Sequence, residues 1–450
     1  MADLSVPWRG EKLRLSLPNR WVLQQVAQPE MNDASADWPQ RLSDALAQPA
    51  TGQPLAKLLR DKPRSRVAVM VEDVTRGGPL ATILDRLLRE TRFAGIDDDH
   101  IEIVFATGMH PPMLSAQVEA ALGQISHAVT WRCNDSRRDE RHVRIGKVGK
   151  VDVRIDRGVA EADLRIMISS VSPHFQAGFG GGYRLLVPGC AAIQTIRQLT
   201  RLGMNRRGRQ LVGTEAAENP LRTTIDAVGA LLDQGDGQSF AIQYLPDRAG
   251  QPVNIAAGHM VPTQRMLAKQ CAVACGVVMT APADVLITNA YPRNFDLCQS
   301  LKCVANTQHA VRPGGVILCL ADTEIGLRDM RLPAWPLNPT WTRRLVRFIG
   351  PEAVCSLARR LVPSLARDAD PYFLLAARIL YRNPIVMYAP ALHKAGLRLP
   401  GIHVVGDLQD AYGTIETLLP ASSPRVIAFP AGGATFPVLT DLVSPALTEE

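Results

Sequence analysis

Aromatic residues and uninterrupted apolar segments are scarce in this sequence of 450 residues. Aromatic residues make up 5% of the chain and the net charge is only +7, which argues against a surface that stacks on and neutralises nucleic acid. No segment reaches the roughly 18 consecutive apolar residues that a membrane-spanning helix needs. We therefore expect neither a nucleic-acid partner nor a membrane partner. A hydrophobic fraction of 46% still predicts a globular protein with a substantial core.

The sequence also lacks a disulfide framework and a leader segment. Its eight cysteines are scattered, and a chain of this length does not depend on a disulfide scaffold. The first residues show no basic segment followed by an apolar one, so we expect a cytoplasmic protein with reduced thiols. Cys271 and Cys275 have helical spacing but no second pair at zinc-site distance, which predicts buried apolar residues rather than metal ligands.

Three catalytic motifs are missing, namely the Gly-x-Ser-x-Gly elbow, the His-Glu-x-x-His pair and the P-loop. Arginine clusters are present, and we interpret them as solvated helix faces. They comprise Arg201, Arg206, Arg207 and Arg209 in one group, and Arg343, Arg344, Arg347, Arg359 and Arg360 in the other. The basic balance also suits a small anionic substrate.

Short apolar segments alternate with amphipathic ones, which predicts an α/β fold with mostly parallel sheets. The predicted strands are 66–71, 101–106, 164–169, 284–288, 314–320, 384–388, 403–405 and 425–429. The predicted helices are 79–94, 115–122 with Ser115 as its cap, a segment through Lys302, and segments within 342–381. The proline-rich segment 333–341 predicts a surface loop or lid. We place two α/β domains at residues 1–265 and 266–450.

Polar residues gather in three segments that follow predicted strands, 72–79, 107–112 and 170–189. The carboxyl ends of parallel strands carry the chemistry in such sheets, so these loops predict one composite site. The third loop is rich in glycine and contains Gly178, Gly180, Gly181 and Gly182. Free backbone N–H groups there could cradle a phosphate or carboxylate, with Arg184 clamping the same anion. A purely structural turn is the alternative.

Two histidines follow neighbouring strands and are candidate general bases, because imidazole titrates near neutral pH. They are His110 and His174. In the first loop, Arg76 could hold a carboxylate with two parallel hydrogen bonds, and Asp73 could orient Arg76 or bind a hydroxyl. The alternative is that Asp73 or Thr75 caps the following helix.

Gln299 and Lys302 lie three residues apart, so they share one face of a predicted helix after Tyr291 and Pro292. Lys302 could bring positive charge to the same site. An exposed helical lysine is the alternative.

In this order, the motifs resemble the lactate racemase family of nickel-pincer 2-hydroxy acid racemases and epimerases, over about residues 60–440. The family's Asp-x-Thr-Arg turn resembles residues 73–76, and its Gly-x-His segment resembles 108–110. Its His-x-x-Ala-Gly-Phe-Ser-Gly-Gly-x-Lys-x-x-x-Pro-Gly signature resembles 174–189. Its Tyr-Pro-(x)6-Gln-x-x-Lys helix resembles 291–302.

The resemblance implies a two-domain fold with an active-site cleft between the domains. It implies a nicotinic-acid-derived nucleotide that holds nickel, accepts a hydride from the substrate and returns it to the other face. His110 and His174 would be the paired bases, Arg76 would grip the substrate carboxylate, and Asp73 would also belong to the substrate-binding residues. The remaining implied contacts, to substrate or cofactor, are Thr75, the glycine loop, Arg184, Gln299 and Lys302.

Two departures from the family pattern concern the cofactor. The lysine that bonds to it covalently is replaced by Arg184, whose guanidinium stays protonated and is too weak a nucleophile for that bond. The nickel-binding histidine falls on Thr200, a poor nickel ligand. Smaller departures are Gly180 for a serine and Pro111 for an arginine.

These departures leave the cofactor and the metal ligands open. A pincer nucleotide bound without a covalent bond and no cofactor at all are equally open, and Cys190 or Met204 as a replacement nickel ligand is a further alternative. The first hypothesis is a racemase or epimerase acting on a 2-hydroxy acid or sugar acid by acid/base and hydride chemistry. The others are a nickel-free protein that binds a small anion or nucleotide, and a metal-free lyase or dehydratase. The sequence does not indicate the oligomeric state.

Overall fold

A computed structural model describes residues 3–30, 32–61, 65–203, 210–235, 237–294, 296–323, 338–361 and 370–439. Its strands are β1 (Asp3–Trp8), β2 (Glu11–Ser16), β3 (Val22–Val26), β4 (Val67–Val71), β5 (Ile101–Phe105), β6 (Thr130–Cys133), β7 (His142–Val148), β8 (Val151–Asp156), β9 (Leu164–Ser170), β10 (Pro173–His174), β11 (Gly178–Phe179), β12 (Gln238–Pro246), β13 (Pro252–Gly258), β14 (Gly276–Met279), β15 (Ala283–Asn289), β16 (Val311–Leu320), β17 (Ile385–Tyr388), β18 (Ile402–Val405), β19 (Arg425–Phe429) and β20 (Phe436–Leu439).

Its α-helices are α1 (Trp38–Ala47), α2 (Leu55–Arg60), α3 (Leu80–Phe93), α4 (Ser115–Leu122), α5 (Ile125–Ala128), α6 (Arg157–Ala160), α7 (Ile193–Leu202), α8 (Pro220–Leu232), α9 (Met260–Cys275), α10 (Leu297–Ser300), α11 (Lys302–Thr307), α12 (Pro339–Ile349), α13 (Pro351–Leu361), α14 (Asp370–Arg382), α15 (Pro390–Lys394) and α16 (Leu408–Leu418). Every strand and helix predicted from the sequence has a counterpart among them, with bounds that differ by a few residues.

The first of two compact units contains the described residues of 32–203 and 211–273. Its six-stranded sheet has the order β13-β12-β9-β4-β5-β6 and is parallel except for the β12–β13 pair. All five residues of β4 are buried, because helices and loops cover both faces of the sheet. Val69 packs with Leu84 and Leu87 on one face, while Met70 packs with Tyr183 on the other. The glycine-rich segment is therefore part of the covering layer on the second face.

The second unit contains residues 3–30, Gln210 and the described residues from Ala274 onwards. Its main sheet has the order β18-β17-β16-β15-β19-β3, and all its pairs are parallel. The predicted α/β fold with mostly parallel sheets is confirmed in both units.

The division of the chain into compact units differs from the predicted single domain boundary between residues 265 and 266. Strand β3 pairs with β19, so the first thirty residues belong with the carboxyl-terminal half of the chain. Strand β3 has only five residues, and their hydrophobic pattern does not indicate a pairing partner about four hundred residues away. Only the tertiary structure shows this pairing. Strands β1 and β2 form a separate hairpin in the same unit.

Two local predictions need correction and one is confirmed. Ser115 does not cap α4: the cap is Leu114, whose backbone N–H donates to the Gln117 side chain at 3.0 Å. Residues 333–337 lie outside the described residues, whereas Pro339–Trp341 begin α12 after the cap Asn338, rather than a loop. Cys271 and Cys275 are buried on α9, as predicted. Among the described residues, no helix is long and apolar enough to cross a membrane.

Candidate active site

The candidate site of the first unit lies where the order of its sheet reverses. In the sheet, β5 and β6 follow β4 on one side, while β9 and β12 lie on the other side of β4. Ligand sites in open parallel sheets form at such a point, outside the carboxyl ends of the strands. Asp73 follows β4, His110 follows β5 and His174 follows β9, so the fold brings these three loops to one edge of the sheet.

A hydrogen bond joins two of these loops directly. Nδ1 of His110 lies 2.5 Å from Oδ2 of Asp73. Asp73 is 9% exposed, whereas the His110 side chain is 35% exposed. Because the carboxylate accepts this hydrogen bond, the His110 proton resides on Nδ1 and its Nε2 presents a lone pair. That arrangement suits a general base.

Asp73 remains ionised in this setting. Its burial alone would raise its pKa, but the hydrogen bond and charge of His110, the charge of Arg76 and the hydrogen bond from Thr75 outweigh burial. Together they hold the pKa of Asp73 well below its usual range. A charged carboxylate behind His110 also favours the imidazolium that forms when this histidine takes a proton.

Thr75 is occupied by the same carboxylate. Its backbone N–H and its hydroxyl both donate to Oδ1 of Asp73, at 3.0 and 2.5 Å. Neither side chain caps α3, whose N-cap is Pro79 without a side-chain hydrogen bond. The turn is therefore a local brace for Asp73, and the capping alternative does not hold.

Glu72 ties the ends of β4 and β9 together. Its Oε2 accepts hydrogen bonds from the Ser170 N–H at 2.9 Å and from the Ser170 hydroxyl at 2.8 Å. Its other oxygen lies 4.0 Å from Nε of Arg76. Arg76 is thus restrained from one side while its guanidinium retains donors for another anion. Glu72 is not among the site residues predicted from the sequence, although its position directly after a buried strand is a usable signal.

His174 has the opposite hydrogen-bonding pattern to His110. Its Nδ1 accepts the backbone N–H groups of Gln176 at 3.2 Å and Ala177 at 3.1 Å. An accepting Nδ1 carries no proton, so the neutral ring carries its proton on Nε2. The ring stacks on Phe175 with a centroid distance of 5.2 Å. His174 is therefore held as a donor at Nε2, whereas His110 is held as an acceptor there.

The glycine loop is buried and is organised by an arginine that no sequence motif indicates. All four glycines, Gly178, Gly180, Gly181 and Gly182, are buried. Arg222 on α8 is 1% exposed and donates to the carbonyl oxygens of Phe179, Gly180 and Gly181, the last at 3.1 Å. Gln264 also donates to the Gly180 carbonyl, at 3.0 Å.

These contacts turn the loop carbonyls towards the protein interior. The Gly180 N–H donates to the Ser172 carbonyl at 2.7 Å, so this amide is not available to an anion. A Cβ on Gly181 would lie 2.7 Å from Cγ2 of Val171, and the residue has φ +72°. Both conditions demand glycine there. The structural role of the loop is therefore established by its contacts, and anion binding by its other amides stays a prediction.

Arg222 keeps its charge despite full burial. Burial lowers the pKa of Arg222 to about 10, with Asp226 opposing and Arg265 reinforcing this effect. Asp226 lies 3.9 Å from Arg222 and pairs closely with Arg265. Asn219 is a residue type that often caps helices, and in the structure it caps α8 by accepting the Arg222 N–H. Its side-chain amide donates to the Gln176 carbonyl at 3.0 Å. The arginine itself carried no motif.

Arg184 and Thr200 do not fit a cofactor that is covalently attached through a lysine and whose nickel is bound by a histidine. Arg184 ends the short 3₁₀ helix Gly182–Arg184 and is a guanidinium, which does not form the covalent bond. Thr200 is buried on α7, and its hydroxyl donates to the Ile196 carbonyl of its own helix at 2.7 Å. Its oxygen is thereby engaged within the helix rather than presented to a metal.

The alternative nickel ligands gain no support. Cys190 is fully buried, and burial raises the pKa of its thiol well above the usual value, with the charge of Asp156 adding to the shift. A thiol in that state is a poor metal ligand, because thiolate is the binding form. Met204 lies outside the described residues. No group of three or more metal-binding side chains occurs in the part of the chain that the structure describes.

Gln299 and Lys302 belong to the second unit. They lie on α10 and at the start of α11, which follow β15. The strand order of the second sheet reverses between the neighbouring strands β15 and β19. The carboxyl ends of these two strands are therefore the position at which this sheet would form a ligand site. Asp296 caps α10 by accepting the Gln299 N–H at 2.8 Å, and Nζ of Lys302 donates to Oε1 of Gln299 at 2.6 Å. The pair therefore presents one positively charged, hydrogen-bonded unit.

Fold and loop arrangement define a class of proteins with two parallel-sheet units, each with polar loops at the carboxyl ends of its strands. Residues 9–210 match the family model of the lactate racemase N-terminal domain. The lactate racemase of Thermoanaerobacterium thermosaccharolyticum is 27% identical over 340 residues, covering 72% of this chain and 76% of that protein. The lactate racemase of Lactiplantibacillus plantarum is 25% identical over 295 residues, covering 63% and 65%. The amino-terminal part of the chain is therefore similar to the lactate racemase family, whose domain model it matches over residues 9–210.

Solved structures share the fold. The lactate racemase apoprotein from T. thermosaccharolyticum superposes with a TM-score of 0.78 at 22% sequence identity, covering 97% of this chain and all of that one. A protein from Thermotoga maritima reaches a TM-score of 0.63 at 13% identity, covering 92% of this chain.

Proposed function

We propose that this protein is an isomerase of the racemase or epimerase type that acts on a 2-hydroxy acid or sugar acid. The observation that carries the proposal is the Asp73–His110 hydrogen bond at the carboxyl end of the sheet, in a chain whose relatives are named lactate racemases. It supplies an oriented base beside an arginine, which is the combination that proton transfer on a small carboxylate requires.

Each residue has a distinct role in this proposal. Arg76 binds the substrate carboxylate, while Glu72 keeps its guanidinium in place. His110 accepts a proton at Nε2, and Asp73 stabilises the resulting imidazolium. His174 donates a hydrogen bond from Nε2 to an oxygen on which negative charge develops. The partner in this proposal is thus a small anionic substrate.

Gln299 and Lys302 are the residues of the second unit that we propose for binding a small anion. Lys302 adds positive charge, and Gln299 positions it through their hydrogen bond. Because Arg184 and Thr200 do not fit the covalent, nickel-ligated cofactor, we assign no step to that group. A pincer nucleotide held without a covalent bond remains a proposal, to be decided by direct mass measurement.

The test uses the full-length protein, produced with and without the enzymes that make the lactate racemase cofactor. Native and denaturing mass spectrometry and nickel quantification are run on the same samples. Each enantiomer of a panel of 2-hydroxy acids and sugar acids is then incubated in deuterated water and analysed by chiral chromatography. We expect conversion between stereoisomers, and no added mass after denaturation, because Arg184 cannot hold the group covalently.

Variants separate the roles. His110→Gln is expected to lower turnover by at least about a hundredfold, since general base catalysis contributes about 10²–10⁴-fold. His127→Gln is the matched control, because His127 is exposed on α5 of the same unit. Arg76→Lys is expected to raise KM, because lysine does not reproduce the planar two-point contact. Full activity of His110→Gln with any converted substrate would refute the assignment of the base.

A second candidate function is a metal-free lyase or dehydratase. It is favoured by one observation, the unequal hydrogen bonding of the two imidazoles. One accepting and one donating Nε2 also suit removal of a proton by His110 while His174 donates a hydrogen bond to a departing hydroxyl group. The same incubation distinguishes the two, because a lyase or dehydratase yields an unsaturated or keto acid instead of the stereoisomer.

Binding without chemistry is the third candidate. Isothermal titration with hydroxy acids and nicotinate nucleotides would then give heat that is lost in Arg76→Ala, while none of the substrates is converted. Stereoisomer conversion by the wild-type protein excludes this candidate.

A further inference from the structure

Helix α12 exposes an apolar stripe that the candidate active site does not use. Trp341, Leu345 and Phe348 are spaced four and three residues apart, so they lie on one side of the helix. They are 67%, 46% and 89% exposed, respectively. A phenylalanine that is 89% exposed beside an exposed tryptophan is unusual for the solvated helix face that the arginine cluster predicted here.

Positive charge surrounds this stripe. Arg344 and Arg347 are exposed, and the Arg344 guanidinium lies 5.3 Å from the centroid of the Trp341 ring. Helix α12 contains no acidic residue, and within the described residues neither arginine has a carboxylate within 4 Å. We call the five residues Trp341, Arg344, Leu345, Arg347 and Phe348 the α12 face.

The opposite side of the helix is anchored to its own unit. Val346 is 2% exposed and packs with Cys355 of α13 and Ala377 of α14. Arg343 turns the same way and donates to the Leu380 carbonyl at 3.0 Å. The α12 face is therefore presented outward by a packed helix, and its side chains can change without loss of those contacts.

We propose that the α12 face docks the protein onto an anionic lipid surface. This differs from the expectation of no membrane partner, which rested only on the lack of a membrane-spanning segment. Protruding Trp, Leu and Phe side chains can enter the boundary between headgroups and acyl chains, while arginines pair with anionic headgroups. Charge complementarity selects this occupant over a second copy of the chain, because two such faces would bring together four arginines that have no carboxylate partner within the described residues. The helix would lie in the plane of the surface.

The chain offers a matched control on α3. Phe93 is 79% exposed, and the Arg60 guanidinium lies 5.9 Å from its ring centroid, so its aromatic exposure and arginine contact resemble those of the α12 face. Its neighbour Arg92, however, is paired with Asp98 at 2.6 Å. Phe93 therefore reproduces an exposed ring with one arginine, Arg60, whereas the α12 face adds a second arginine and two further exposed apolar side chains.

The test is co-sedimentation of the full-length protein with vesicles of phosphatidylcholine alone or mixed with phosphatidylglycerol. We expect binding to the mixed vesicles only, weakening as salt is raised. Phe348→Ser is expected to weaken it roughly tenfold or more, from the lost burial of the ring. Arg344→Gln and Arg347→Gln are expected to weaken it by about fivefold each. Phe93→Ser should bind like the wild type, and circular dichroism checks that all variants fold.

Three results would overturn the proposal. One is no binding to mixed vesicles at low salt. Another is binding that the α12-face variants leave unchanged. The third is self-association, measured by light scattering, that Phe348→Ser abolishes while vesicle binding is absent, since the face would then join copies of the chain. Isomerase activity is not an outcome of this experiment, so it stands or falls independently of the proposed function.

Discussion

Glu72 and Ser170 join the ends of two neighbouring strands through two hydrogen bonds to a single carboxylate oxygen, at 2.9 and 2.8 Å. The strands are β4 and β9, between which the order of the sheet reverses. This brace keeps the Asp73 loop and the His174 loop in a fixed spacing, so it supports the candidate site without touching a substrate.

Removing this brace should destabilise the first unit. Glu72→Ala leaves the buried Ser170 N–H without its acceptor, and we expect a loss of about 1–3 kcal/mol in the free energy of unfolding. Ser170→Ala removes only the hydroxyl donor and should cost about 1 kcal/mol. Urea denaturation of both variants and of the double variant measures the coupling. Equal losses from both single variants would show that the backbone hydrogen bond contributes nothing.

Replacement of the carboxylate behind His110 should impair catalysis more than folding. In Asp73→Asn the side-chain amide can donate to Nδ1, which shifts the proton to Nε2 and removes the lone pair that acts as a base. We expect kcat to fall by about a hundredfold or more. Asp85→Asn on the exposed side of α3 is the control. An unchanged kcat for Asp73→Asn, with any substrate that is turned over, would contradict the assigned orientation of His110.

Asp73 also predicts an acid-dependent loss of stability. Because the folded protein holds the pKa of Asp73 below its usual value, ionised Asp73 stabilises the fold above about pH 4, the unfolded value. That contribution is lost as the pH falls from there towards the lowered folded value. The free energy of unfolding should therefore decrease more between pH 6 and pH 3 in the wild type than in Asp73→Asn. Parallel profiles from urea titrations would argue against the lowered pKa.

The glycine loop predicts a backbone requirement at one position. Gly181→Ala adds a Cβ at φ +72° and at 2.7 Å from Val171. Gly149→Ala is the matched control, with φ +57° and nothing within 4 Å, so it measures the dihedral penalty alone, about 1–2 kcal/mol. We expect Gly181→Ala to lower the midpoint of thermal unfolding by clearly more than Gly149→Ala. Similar shifts would mean that the loop relaxes around the new methyl group.

Arg222 should be indispensable for the same loop. Arg222→Met leaves the carbonyl oxygens of Phe179 and Gly181 without their buried donor, leaves the Gly180 carbonyl with Gln264 alone, and leaves Asp226 with one cation fewer. We expect destabilisation of about 3–5 kcal/mol, as for removal of one partner from a buried charged network. Chemical denaturation tests this, with Arg157→Met on the exposed side of α6 as the control. A loss below about 1 kcal/mol would show that the loop carbonyls find other donors.

Much of the first unit was predictable because its information is local. The segment 67–71 is uniformly apolar and 80–93 has a helical period, so each declares its structure within a few residues. Loops that follow such strands must meet at one edge of a parallel sheet, so the candidate residues could be gathered before any coordinates. The departures at Arg184 and Thr200 were equally visible, because residue identity alone decides nucleophilicity and metal affinity.

Only the tertiary structure decided the hydrogen bonds that give these residues their chemistry. Asp73 pairs with His110 rather than with Arg76, and backbone amides hold the proton of His174 on Nε2, because these partners are fixed by loop geometry and not by spacing. Arg222 acquires its role because folding buries it beneath carbonyl groups forty residues away in sequence. The pairing of β3 with β19 likewise joins opposite ends of the chain. The sequence by itself determined the elements and the inventory of reactive groups, while long-range packing determined which group faces which.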